Sequence, residues 1–149
     1  MIKRMRGKAF AVSAAVVGAL ALGASPAAAA DTWQPWVAGA DYKCGDSTKH
    51  LFSKNIGIQT CIFRAPGSNS FQAVAVAVNN SPNTVYLETA VFNKTTNTVD
   101  NCAKRKVAPG ERVACYGTTK STSVRPVKGD AYIWLNDGLS DLTLTAEYK

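Results

Sequence analysis

One histidine, four cysteines and ten acidic residues are all that this sequence offers to acid–base, thiol or carboxylate chemistry. His50 stands alone between Lys49 and Leu51, so a Ser-His-Asp or Cys-His arrangement has a single candidate base. There is no G-x-S-x-G and no C-x-x-C. Without histidines grouped near the cysteines, a metal site has no ligand set. The acidic residues are scattered. Asp46, Asp100, Glu111, Asp130 and Asp137 fall in turn-like segments, where carboxylates are ordinarily solvated, so paired-carboxylate glycoside chemistry is not indicated. The stretch Asp137-Gly138-Leu139-Ser140-Asp141 is oxygen-rich but lacks the spacing of an EF-hand calcium loop. The expectation is a protein that binds rather than catalyses, with no cofactor and no metal.

The N-terminal thirty residues read as a secretory leader. Lys3, Arg4, Arg6 and Lys8 form a basic head, and residues 9–24 follow without a charge. Pro26 interrupts the run, and Ala28-Ala29-Ala30 supplies the small residues of a cleavage site near Ala30. The apolar run is short and rich in Ala and Gly, whereas a membrane span needs about 20 strongly apolar residues. Its style is that of bacterial leaders. Four of the 17 basic residues and none of the ten acidic ones lie in it, which leaves residues 31–149 with 13 against 10 and a net charge of +3. That modest excess does not support nucleic-acid binding, which is marked by a strong basic stripe. The expected product is secreted, without a transmembrane segment once the leader is removed.

An even number of cysteines in an exported chain implies disulfides. Cys44–Cys61 and Cys102–Cys115 are the favoured pairs among three connectivities, because each closes a local loop.

Residues 31–54 form a polar lead-in with Trp33, Trp36 and Tyr42 and no helical period; it is expected to be irregular. From there on the hydrophobic period is two. Residues 55–64 alternate, with Ile56, Ile58, Thr60 and Ile62 on one face. Residues 71–80 set Val74, Val76 and Val78 against Ala73, Ala75 and Ala77, and the valines are expected in the core. A turn at 79–83 leads to a second strand at 84–93, with Val85, Leu87 and Val91 opposite Tyr86, Ala90 and Phe92. Residues 95–100 read as loop, and Cys102 opens a basic stretch. Pro109 and Gly110 set a tight turn. Short strands follow at 112–117, 124–127 and 131–136, with a turn at Gly129-Asp130, and residues 142–148 alternate to the C-terminus.

Six to seven short strands with turns every 8–12 residues resemble an immunoglobulin-like β-sandwich over residues 55–149. The expected fold is a single small all-β antiparallel sandwich with two disulfides. Because sandwiches of this kind host unrelated functions, the resemblance implies no activity.

Three roles follow from the residues. Tyr132 and Trp134 share one strand face, and Trp33 and Trp36 lie in the lead-in; flat rings of this kind stack on sugars, so the first is a binding module for cell wall or polysaccharide. The second is an inhibitor of an extracellular hydrolase such as a protease, displaying Lys104, Arg105 and Lys106 on a loop braced by Cys102–Cys115. The third is a structural, surface-associated protein that packs through the alanine face of residues 71–80. Nothing in the sequence sets the oligomeric state.

Overall fold

A computed structural model describes residues 33–149 apart from Leu139 and Leu144. The leader assigned to residues 1–30 lies outside the described residues. Alternating side chains arrange the rest as strands β1 (Trp33–Pro35), β2 (Tyr42–Cys44), β3 (Thr48–His50), β4 (Ser53–Arg64), β5 (Ser70–Asn79), β6 (Val85–Asn93), β7 (Thr98–Val107), β8 (Arg112–Tyr116), β9 (Lys120–Ser121), β10 (Val127–Leu135), β11 (Ser140–Leu142) and β12 (Ala146–Tyr148). They form two antiparallel sheets. The seven-stranded sheet runs β1-β8-β5-β4-β2, with β3 on β4 and β9 on β5, and the five-stranded sheet runs β11-β10-β6-β7, with β12 on β10. The all-β sandwich and both disulfides are as the sequence led one to expect. The strands are more numerous than six or seven because the edges are built from short pieces.

Between the sheets, Ile56, Ile58 and Ile62 of β4 meet Leu87 and Val91 of β6 and Ala131 and Ile133 of β10. The orientation of β5 differs from expectation. Its alanines, not its valines, face the other sheet, together with Phe71. The small side chains leave room for the branched residues opposite, so packing volume rather than β-propensity sets the face. Val74 and Val76 are buried as well, on the outer side of the seven-stranded sheet with Cys61, Ala114 and Tyr116. The alanine face is therefore interior and offers nothing to a second subunit.

What buries the valines is the lead-in. Its three short strands join the seven-stranded sheet, and Trp36 and Tyr42 pack with Phe63 over the outer cluster. Trp36 meets Tyr42 edge-on at 4.7 Å. Cys44 pairs in register with Cys61 and fastens β2 to β4.

Other segments depart from the sequence reading: residues 124–126 are not an edge strand but the approach to β10, which starts at Val127, and the loop expected at 95–100 gives way to β7 from Thr98. The basic loop at 102–107 is strand β7, which pairs with β6 along its whole length apart from a bulge. Two residues, Ala103 and Lys104, stand opposite the single Glu88, an irregularity typical of sheet edges. Gly129 and Asp130 are not a turn but part of β10. A Cβ on Gly129 would lie 3.0 Å from the Ala73 and Ile62 side chains and 3.1 Å from the Phe92 carbonyl oxygen, so the glycine marks a close approach of the sheets. Finally, the C-terminal alternation breaks. Leu142 pairs with Tyr132 but Ala146 pairs with Gly129, which leaves one extra residue between them and carries the chain from the outer face to the core.

Cys102 and Cys115 are fully buried and join β7 of one sheet to β8 of the other.

Candidate functional site

β6 and β10 lie side by side in the middle of the five-stranded sheet, with Phe92 opposite Asp130, Ala90 opposite Tyr132 and Glu88 opposite Trp134. Because Ala131 and Ile133 point into the core, the alternate residues Asp130, Tyr132 and Trp134 point out. By the same alternation Tyr86, Glu88, Ala90 and Phe92 of β6 point out. Leu142 on β11 stands opposite Tyr132, and Val99 on β7 stands opposite Phe92. Three aromatic rings thus sit next to one another across two strands. The Phe92 and Tyr132 centroids are 5.5 Å apart at 73°, and those of Tyr132 and Trp134 are 6.2 Å apart at 38°.

This face stays open. Tyr132 is 38 % exposed, Tyr86 39 %, Leu142 45 % and Val99 49 %, while Phe92 and Trp134 are half-buried. Trp36 and Tyr42 of the lead-in pack on the outer side of the opposite sheet, and among the described residues no segment lies over this one. A contiguous apolar surface of this kind marks a contact site more often than isolated exposed residues do. At the Phe92 end it deepens into a groove of about 460 Å³, where Phe92, Tyr132, Val99 and Leu142 meet the polar side chains of Lys94, Asn97, Thr98 and Asp130.

The border carries compensated charge. Lys94 donates to Asp130 at 2.9 Å. Lys104 pairs with Asp137, and its hydrogen bond to that carboxylate holds the ammonium above the usual lysine range. The Lys104 and Lys106 ammonium groups also lie 5.5 and 5.8 Å from the centroid of the Tyr86 ring, within cation–π reach.

The structure divides the sequence candidates. Tyr132 and Trp134 are on the open face. Trp33 and Trp36 are not: Trp36 roofs the outer cluster of the other sheet, and Trp33 closes an edge of the sandwich. The Trp33 indole donates to the Ala103 carbonyl at 2.9 Å, and the Trp33 carbonyl accepts from Arg105 at 3.2 Å, so β1 is tied to β7 across the two sheets. Lys104, Arg105 and Lys106 are strand residues rather than a displayed loop, and Arg105 is further held by Glu111 at 2.5 Å. Tyr86 and Phe92 lie on the side of their strand that the alternation implies, and the site gains them although the sequence does not single them out. Their parity was visible; the absence of a covering layer was not.

His50 is 2 % exposed. Its Nδ1 accepts from the Phe52 backbone N–H at 3.3 Å, so the Nε2–H donates to the Ile133 carbonyl at 2.9 Å. Both ring nitrogens are engaged within the fold.

Neither a protein-family model nor a curated protein sequence matches the chain. One similar solved structure is that of the Pseudomonas fluorescens alkylpurine DNA glycosylase AlkC bound to DNA containing an abasic site analog. The match covers 74 % of this chain and 30 % of that one, at 11 % identity and a TM-score of 0.31, a likeness too slight to bear on fold or function.

Proposed function

We propose that this protein is an exported, non-catalytic glycan-binding module whose ligand face is the outer side of the five-stranded sheet. One observation carries the reading: Phe92, Tyr132 and Trp134 form a contiguous row of rings on a sheet face that no other segment covers among the described residues. Aromatic faces are electron-rich, and the axial C–H bonds of a pyranose ring present a flat, weakly positive surface that stacks on them. Each contact buries apolar area without stripping the hydroxyls of water. Tyr132 and Trp134, 6.2 Å apart and tilted by 38°, are the pair that can stack on adjacent units of an extended chain, while Phe92, at 73° to Tyr132, borders them with its edge.

Export is supported by the basic-apolar-small order of residues 1–30 and by two disulfides with no free cysteine, an arrangement that persists in oxidising compartments. A binding rather than catalytic role is supported by the engagement of both His50 nitrogens inside the fold. The inhibitor reading loses its motive, because Lys104 and Arg105 are ion-paired on a strand and a preorganised display loop is missing from residues 102–107.

The test is retention of the purified protein on insoluble chitin, cellulose and bacterial cell wall at low and high salt. Stacking predicts retention on at least one polymer that survives high salt, since the contact is apolar. Retention lost in salt reduces the interaction to surface charge, and no retention on any of the three removes the glycan reading.

A further inference from the structure

The geometry points to a chain-end subsite in the groove at the Phe92 end of the row, where Asp130 and Lys94 bind the free hydroxyls of a terminal sugar. This rests on the glycan reading and adds direction to it. Along β10 the outward residues run Trp134, Tyr132, Asp130, Lys128. The apolar row therefore gives way to charge. Lys128 is paired with Glu147 at 3.3 Å, and Asp130 with Lys94 at 2.9 Å. A glycan lying on the row meets rings until Tyr132 and Phe92, and then meets an ion pair.

That pair is built to read hydroxyls. The Asp130 side chain is only 11 % exposed, so it is fixed rather than swinging in solvent. Its Oδ2 accepts from Lys94, and among the described residues its Oδ1 has no donor. A carboxylate oxygen and an ammonium set side by side offer one acceptor and one donor, the complement of two vicinal hydroxyls. Asn97 and Thr98, from the connection between β6 and β7 and the start of β7, line the same groove. A mid-chain unit has two ring positions committed to glycosidic oxygens, whereas the terminal unit keeps one more hydroxyl free for this cluster. The compensated charge of the groove also fits a neutral sugar better than an anionic one, because a carboxylate or phosphate on the ligand would face Asp130.

The experiment compares binding capacity per gram of chitin and cellulose before and after mild hydrolysis that multiplies chain ends, for the wild type, Asp130→Asn, Lys94→Met and Trp134→Ala. Unchanged thermal melting selects the folded variants, and Lys94→Met, at a half-exposed side chain, tests the subsite if Asp130→Asn fails to fold. The inference predicts wild-type capacity rising in proportion to chain ends. It also predicts affinity about tenfold weaker in Asp130→Asn or Lys94→Met, the loss of a charge-assisted hydrogen bond. Capacity independent of chain ends, or groove variants that bind like the wild type while Trp134→Ala does not, would overturn the subsite and leave the aromatic platform standing. If Trp134→Ala also binds like the wild type, or the wild type binds none of chitin, cellulose and cell wall, the platform reading falls with it.

Discussion

A few side chains hold this sandwich to one register. Asn79 ends β5 fully buried. Its Nδ2 donates to the Asn83 and Val107 carbonyls at 2.8 and 3.0 Å, and its Oδ1 accepts from the Ser81 backbone and hydroxyl at 2.9 and 2.7 Å. Truncation to Ala removes all four bonds, including the one to the carbonyl of buried Val107, and is expected to cost about 3 kcal/mol. Urea denaturation should show a lowered midpoint with an unchanged slope, while Asn80→Ala at the exposed neighbour shifts little. Gly129→Ala forces a methyl against Ala73 and Ile62 and is expected to cost about 1–3 kcal/mol in the same assay. Neither role was legible in the sequence. Asn79 and Gly129 are both turn formers by type, so the sequence alone implies turns at both; only the packing of one sheet on the other reveals what they support.

Tyr42 makes a pH prediction at the same scale. Burial first, and then its hydrogen bond to Tyr116 at 3.2 Å, push its hydroxyl well above the usual tyrosine range. The neutral form is thus favoured by folding. Its contribution to stability is complete below the unfolded value of about 10 and is lost as pH rises from there towards the folded value. Spectrophotometric titration of the five tyrosines should find one that ionises late, and Tyr42→Phe should remove it. An unchanged titration curve in that variant would contradict the assignment.

Among the elements, the ones with a strict period of two were readable, and the edges were not. β4 and β6 have the faces their alternation implies. β5 alternates between two apolar sets, Ala and Val, so either face could have turned inward; the larger side chains opposite decided it. β7 escaped notice because an edge strand with one solvated face and a bulge carries Asn101, Lys104 and Lys106 where an interior strand would carry Val or Ile. Besides its ladder with β6, it is tied to β8 of the other sheet by the Cys102–Cys115 bond. Replacing both cysteines with Ala is expected to cost about 3 kcal/mol for a loop of this length, read as a lowered melting temperature. The lead-in, expected to be irregular, is held instead by Trp36 and Tyr42 on the outer cluster. Trp36→Ala should speed proteolysis around residues 36–50 and leave the β5–β6 hairpin protected from hydrogen exchange. Uniform loss of protection would mean that the lead-in is integral to the global fold.

For the whole molecule, the proposed function turns on which of the two outer faces is covered. Both carry aromatic residues in the sequence. Trp36, Tyr42 and Phe63 end up closing one face, and Phe92, Tyr132 and Trp134 are left on the other. Composition and alternation could place Tyr132 and Trp134 together but could not say that the lead-in would fold to the far side. The open row is therefore the central claim. A binding isotherm on chitin and cellulose tests it most directly, for the wild type, Trp134→Ala and the Tyr132→Ala/Trp134→Ala pair, each verified as folded. The account predicts affinity falling about tenfold for each ring removed, with no change in melting temperature beyond that of a half-exposed side chain. Isotherms that superimpose on that of the wild type would contradict it.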